Sequence, residues 1–404
     1  MTRGGRTVKN FKVKAAVLSQ SFIVMAIMIV STVLANIAQS FPTASLTAIQ
    51  MVMTFGMVAS FPATLVAGIL GNKLNKKYIV LVALALMLVG GLLPAFLHDK
   101  LGYIYASSLL IGAGQGTLMT TISNISTELF EGDERSQMYG MQTAFQNGGS
   151  VVMMLVAGML ARVRWTQAYL AFGIILITII IVTLWLPAEQ VTPKKEAGGG
   201  KYAPKAKVPG SVYFIGVLIC LFCIGYSTFS LNASLYIASM GLGDPSTVAL
   251  AMSLSTGAGV VGGFAFPKIF KVLNRYVLTL ACIVTAVGYL LLVLFPSIAI
   301  VFLAAITAGI GFSLSIPLGI QAISETATPE QMSSSMGSYM AFTSVGAAAS
   351  PLIINALAGF IPNGNEGTVF LTSVVFLVIL TVITIFWSMK TSATKKTSEP
   401  PVPE

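Results

Sequence analysis

Few residue types in this chain are suited to chemistry, and their spacing argues against most of what they could do. Cys220 and Cys223 form a C-x-x-C pair, a spacing used for redox exchange or metal binding when the thiols are accessible and further ligands stand nearby. Here both cysteines, like Cys282, sit inside long apolar runs, so they are expected to be packing residues, with no metal. His98, the single histidine, lies beside Asp99 and Lys100 in a short break between apolar runs and is read as structural rather than as a proton carrier. No G-x-x-x-x-G-K-[ST] phosphate loop is present, which excludes a nucleotide-driven pump of the usual kind. No cluster of His, Asp and Glu stands within the apolar runs, so neither an enzyme nor a cofactor is expected.

What remains is a set of neutral polar residues embedded in apolar sequence. Gln115, Gln146, Asn147 and Tyr226 fall near the middle of their runs, whereas Asn36, Gln50, Asn232, Tyr236 and Tyr339 lie nearer the ends. An amide or phenol surrounded by hydrocarbon must find a hydrogen-bond partner. That partner is either a neighbouring helix or, in a hydrated cavity, water and a bound solute. A second constellation is ionic. Glu128 and Glu325 end two apolar runs, and Lys73, Lys76, Lys268, Lys271 and Arg275 stand in the short breaks that follow two others, positions from which ion pairs could close a gate.

The elements that must position these residues follow from composition. Of 404 residues, 55% are hydrophobic and 9% charged, where a soluble domain carries about a quarter charged residues. Crossing about 30 Å of hydrocarbon takes roughly 20 apolar residues as helix, because lipid offers no partner to an open peptide group. Twelve such runs are expected: 15–38, 43–70, 78–97, 101–126, 137–160, 166–187, 211–238, 246–267, 277–296, 298–324, 332–359 and 368–389. Their interiors contain no Asp, Glu, Lys, Arg or His. Phe41-Pro42, Pro94 with His98 to Lys100, Pro187 and Asp244-Pro245 punctuate the runs, while Pro62, Pro317 and Pro351 lie within them as tolerated kinks.

The segment 188–210 is rich in Lys, Gly and Pro and reads as a cytoplasmic linker. It separates an N-terminal six-helix bundle, 1–187, from a C-terminal one, 211–390, which is followed by a disordered tail, 391–404. Twenty Lys and Arg fall on the face holding both termini and the linker, and three, Lys100, Arg162 and Arg164, on the other. This positive-inside bias places both termini in the cytoplasm. Arg162 and Arg164 are expected to reach lipid phosphates there. The net charge of +10 thereby serves topology, and no nucleic-acid partner is implied. The basic start of the chain leads into the first run without a cleavage site, so that run is read as a span rather than a signal peptide.

The halves repeat. Shifted by 197, residues 112–150 align without a gap on 309–347, pairing Gly112 with Gly309, Gly114 with Gly311, Glu128 with Glu325, Gly140 with Gly337, Phe145 with Phe342 and Gly149 with Gly346. KLNKKYIVL at 73–81 resembles VLNRYVLTL at 272–280. Two tandem copies of the same orientation are one of the symmetries on which transporters are built.

These residues carry a resemblance to the major facilitator superfamily. The family's loop pattern after its second span, GxLaDrxGrr, appears as Gly68-Ile-Leu-Gly-Asn72-Lys73-Leu-Asn75-Lys76-Lys77. Asn72 stands at the acidic position and Asn75 at the second glycine, so the family's charge cluster there is altered. Ser126 to Gly140, with Glu128 and Arg135, resembles the stretch joining spans four and five. Ser108 occupies the position of an arginine common in the family's drug/proton antiporters. The resemblance implies an all-α polytopic membrane protein of two pseudo-symmetric six-helix bundles, working as a monomeric secondary transporter by rocker-switch alternating access. Its expected partners are a small-molecule substrate, the lipid bilayer and a coupling proton or sodium ion. An uncharged, amide-lined path favours export of amphiphilic or drug-like compounds from a prokaryotic plasma membrane. Uptake of a neutral or zwitterionic nutrient, or a non-transporting sensor or scaffold, are the competing readings, separated by whether purified protein in liposomes gives saturable flux.

Overall fold

The structure, a computed structural model, describes residues 3–71, 74–130, 132–187, 209–326, 329–361 and 366–398. Within them the helices are α1 Arg3–Ile23, α2 Ile29–Ser40, α3 Leu46–Leu70, α4 Lys76–Phe96, α5 Leu101–Leu129, α6 Gly132–Ala161 and α7 Ile174–Trp185. They continue as α8 Gly210–Ser239, α9 Pro245–Leu273, α10 Val277–Leu294, α11 Ile298–Thr326, α12 Pro329–Ala358 and α13 Glu366–Ser398. No strand occurs among the described residues.

Among the described residues ten stretches are long and apolar enough to cross a membrane. One of them, Pro245–Leu294, holds both α9 and α10, which part at Asn274 where φ is +48°. The 29-residue α5, whose Ser, Thr, Gly and Gln dilute its apolar character, packs on α3 and α4 and completes the twelve spans. Two spans are not the single unbroken helices expected. The first is α1 and α2 joined by a 3-10 turn at Ala26–Met28. Around this break Ser21, Ser31 and Thr32 hydrogen-bond back to carbonyls of the preceding turn, a habit that bends helices. The sixth begins as a 3-10 helix, Trp165–Gly173, and continues as α7. The three-residue repeat of that form aligns Thr166, Tyr169 and Phe172 on one buried face. Pro94, read as a helix end, lies inside α4.

At the C-terminus α13 extends to Ser398; adding a residue to an established helix costs far less than starting one. The expected linker 188–210 lies outside the described residues except for Pro209 and Gly210.

The chain divides into two compact units, Met1–Ala203 with Gly243–Ser253, and Pro204–Leu242 with Leu254–Glu404. In the first, α1 packs on α6 and α7, and α5 on α3 and α4; in the second, α8 packs on α12, α11 and α13, and α10 on α11 and α13. Lipid gives helices no hydrophobic drive to associate, so close contact through small residues takes its place.

The sequence repeat reappears in those contacts. A methyl group placed on Gly112 of α5 would meet the Gly56 carbonyl oxygen of α3 at 1.9 Å, and one on Gly309 of α11 would meet the Ser255 carbonyl oxygen of α9 at 2.0 Å. Likewise Gly149 of α6 abuts Phe22 of α1, and Gly346 of α12 abuts Cys220 of α8. The repeat pairs Gly112 with Gly309 and Gly149 with Gly346. Each unit thus makes the same two crossings at the same glycines.

Candidate functional site

In the first unit α5 presents Gln115 and α6 presents Gln146 and Asn147, all half-buried. Gln115 Nε2 has one hydrogen-bond partner among the described residues, the Met25 Sδ at 3.8 Å, at the break between α1 and α2. The side-chain amides of Gln146 and Asn147 have no hydrogen-bond partner among the described residues; the backbone carbonyl of Asn147 accepts from the Ser150 hydroxyl at 2.8 Å. In the second unit α8 holds Tyr226 between two rings, Phe312 at 4.6 Å and Phe222 at 6.2 Å, both stacked. The Tyr226 carbonyl accepts from the Tyr289 hydroxyl at 2.8 Å, while its own hydroxyl has no partner among the described residues.

The other neutral polar residues behave differently. Tyr236 donates to the Leu292 carbonyl at 2.8 Å and Tyr339 to the Ile316 carbonyl at 2.8 Å. Asn232 Nδ2 donates to the Thr228 carbonyl at 3.0 Å. Thr228 and Ser373 share a hydrogen bond of 2.6 Å, and Ser350 donates to the Ile224 carbonyl at 2.7 Å. These groups join helices to each other or close on their own helix. Burying an amide without a partner costs on the order of 1–3 kcal/mol, so half-buried amides with no protein partner suit a hydrated surface.

Two buried amides among the described residues went unnoticed in the sequence. Gln142 of α6 is buried and donates to the Ser126 hydroxyl of α5. Gln20 of α1 is fully buried, its Nε2 donating to the Ala16 carbonyl at 2.8 Å and its Oε1 without a partner among the described residues. The signal for Gln20 was present, an amide inside the first apolar run. Nothing local distinguishes a residue facing helices from one facing a cavity.

The ionic candidates are only partly described. Lys73 lies outside the described residues, and Glu128 and Glu325 are in α5 and α11 with their side chains outside the description. Lys76 is buried at the start of α4, and Lys268 and Lys271 are exposed on the last turns of α9. Arg275 lies over the Trp387 ring, 5.9 Å from its centre.

At the opposite end of the spans is an ion pair that the sequence did not disclose. Arg162 Nε donates to Asp244 Oδ2 at 2.9 Å and to the Ser246 hydroxyl at 3.0 Å. Asp244 Oδ1 accepts from the Ser246 hydroxyl at 2.6 Å and from the Thr247 backbone N–H at 3.0 Å, capping α9. Burial works against ionisation of Asp244, but the hydrogen bonds from Ser246 and Thr247 and the nearby Arg162 outweigh it and bring its pKa down to about 2. Arg162, expected to reach lipid phosphates, is engaged by protein instead. This contact accompanies the placement of Gly243–Ser253 in the first unit rather than with 211–390.

The cysteines are free, with Cys223 and Cys282 buried. No group of three or more His, Cys, Asp or Glu able to hold a metal occurs among the described residues.

The family model for the Major Facilitator Superfamily matches residues 16–351 and again 272–403. A "Probable sugar efflux transporter" of Helicobacter pylori is 23% identical over 335 residues, covering 80% of this chain and 83% of that protein. A "Protein TsgA homolog" of Citrobacter koseri is 25% identical over 279 residues, 65% of this chain and 67% of that protein. Among solved structures, the nucleoside transporter NupG superposes with a TM-score of 0.75 at 12% identity, over 92% of this chain and 98% of that one. The peptide transporter PepTSo, of the POT family, superposes with a TM-score of 0.73 at 14% identity, over 94% and 98%.

Proposed function

The chain belongs to the major facilitator superfamily and is a multi-pass membrane transporter; from that premise we propose that it exports a neutral, amphiphilic small molecule by rocker-switch alternating access. The observation that carries the proposal is the character of the unpartnered polar groups. Gln115, Gln146, Asn147 and the Tyr226 hydroxyl stand in spans whose interiors have no Asp, Glu, Lys, Arg or His, and none of these side chains is satisfied by a protein oxygen or nitrogen among the described residues. Amides and a phenol recognise hydroxyl, carbonyl or amine groups without requiring a charge. The Phe222–Tyr226–Phe312 stack supplies a flat apolar face for a ring or chain. Efflux as the direction is supported by the name of the Helicobacter pylori relative, and a plasma membrane with both termini cytoplasmic by the charge bias of the loops.

The test is solute flux in liposomes containing the purified protein, with and without proton and sodium gradients. Replacing Gln115, Gln146, Asn147 or Tyr226 with Ala should raise the half-saturation concentration of the transported solute more than it lowers the amount of folded protein. If all four variants carry solute with unchanged half-saturation, the proposed path is wrong. An aspartate or glutamate at a span end that releases one proton per solute carried would remove the simplest, charge-free form of the mechanism.

Glu128 and Glu325, at repeat-related ends of α5 and α11, are proposed to form the cytoplasmic gate with Lys73, Lys76, Lys268, Lys271 and Arg275. A Glu128→Gln variant with unaltered accessibility of introduced thiols from both sides of the membrane would argue decisively against that role.

A further inference from the structure

In the first unit an apolar groove of about 560 Å³ runs between α1, α6 and α7. It exists because α6 packs closely on the Trp165–Gly173 half of the sixth span and only sparsely on α7, leaving α1 as the floor between two diverging walls. Phe11, Leu18 and Phe22 on α1 and Phe145 on α6 supply ring and chain surfaces, and Ile177 and Ile181 close the α7 side. The two hydroxyls in the lining are already committed, Ser19 to the Ala16 carbonyl at 2.9 Å and Thr178 to the Ser19 carbonyl at 3.4 Å. The groove therefore offers hydrocarbon contact along its length, and both hydroxyl donors in its lining are already used.

One end is different. Lys14 lines the groove one turn inside Phe11, with its Nζ 2.6 Å from Glu134 Oε1 and 5.8 Å from the centre of the Phe130 ring. Both charged side chains are about a third exposed, 31% and 39%, and an ion pair so placed is weak, roughly 0 to 1 kcal/mol. An ammonium has three donors, so Lys14 can receive a second anion beside Glu134 or exchange one for the other. Phe11 and Phe22 are eleven residues apart on α1, about 16 Å along a helix. That is about half of the roughly 30 Å hydrocarbon core, the depth of one leaflet.

We propose that this groove binds a glycerophospholipid of the leaflet nearest the N-terminus, with one acyl chain lying between α1, α6 and α7 and the headgroup phosphate on Lys14. The length of the groove, its apolar lining and Lys14, the cation in that lining, at the end where a headgroup would sit fit this ligand together. Glu134 competes with the phosphate for Lys14, so the site favours lipid when that pair opens. None of Gln115, Gln146, Asn147 and Tyr226 is in the groove's lining, and neither reading depends on the other.

The test uses the purified full-length chain in detergent with a phosphatidylglycerol bearing a photoactivatable diazirine on one acyl chain, followed by mapping of the labelled peptides. Peptides containing Phe145 and Ile177 should be labelled well above the peptide of α4 that carries the exposed Val82 and Val89. At sub-saturating lipid, Lys14→Ala should lower groove labelling about fivefold, the effect of one lysine near a charged lipid surface, and Glu134→Gln should raise it. Ala15→Phe, which fills the groove while keeping Lys14, should abolish labelling at Phe145. Melting temperatures of the variants verify that each is folded. Equal labelling of the groove and of the α4 face would show ordinary lipid contact and overturn the proposal. Unchanged labelling in Lys14→Ala, or equal labelling by a diazirine fatty alcohol that lacks the phosphate, would likewise overturn it.

Discussion

The repeat-related glycine crossings give the sharpest test of how the two units are held together. In Gly112→Ala the new methyl carbon would start 1.9 Å from the Gly56 carbonyl oxygen, and in Gly309→Ala 2.0 Å from the Ser255 carbonyl oxygen. A carbon and a carbonyl oxygen approach to about 3.3 Å, so each helix pair must separate by about 1.4 Å. The obstructing atom is backbone in both cases, and no side chain can swing aside. Overpacking of this kind costs about 1–3 kcal/mol. Against it stands a gain of up to about 1 kcal/mol from replacing glycine with alanine in a helix.

Gly148→Ala and Gly257→Ala isolate the packing term. Both glycines are helical, and neither would place a methyl within 4 Å of another group, so they collect the helix gain without the clash. Thermal unfolding in a single detergent should place Gly112→Ala and Gly309→Ala below their controls by the equivalent of about 1–3 kcal/mol, and by similar amounts in the two units. If either buried variant melts with its control, the helices do not approach as closely as described. If one unit is sensitive and the other is not, the structural equivalence of the two copies is refuted.

Further outcomes follow from the polar contacts. Asp244 is ionised with a pKa lowered to about 2, so its stabilising effect is complete above the usual carboxylate range and fades as the pH falls through that range towards 2. Its side chain is 43% exposed, and after allowance for solvent screening Asp244→Ala should cost about 1 kcal/mol at neutral pH. The gap between variant and parent in thermal unfolding should narrow on acidification, and a gap unchanged down to pH 2.5 would contradict the assignment. Tyr339→Phe removes a buried bond to the Ile316 carbonyl and should lower stability by about 1 kcal/mol with little effect on half-saturation. Tyr226→Phe should do the reverse, leaving unfolding unchanged and weakening the solute; equal effects of the two would remove the distinction between structural and solute-facing hydroxyls.

Much of the architecture was legible because it depends on properties read along one dimension. Apolar run length specifies a span, since a peptide group in lipid must bond within its own helix, and the twelve expected runs correspond to the helices seen. The internal repeat was also visible, in glycines at matched positions, because close backbone approach tolerates almost no other residue. Departures came where geometry depends on neighbours, at the 3-10 breaks in the first and sixth spans.

The sequence alone determined that this chain crosses a bilayer in two related sets of helices, and that its span interiors are uncharged. It did not determine which polar residues are paired. Gln142 and Gln146 are one helical turn apart on α6, yet the first is bonded to Ser126 and the second has no partner among the described residues. Arg162 and Asp244 meet across 82 positions of chain, and Lys14 ends a groove whose walls come from three helices. A side chain's surroundings depend on how its helix is rotated and on which distant helix lies opposite. That information enters only when the helices pack, because apolarity fixes that a segment is buried in the membrane but not what it faces there.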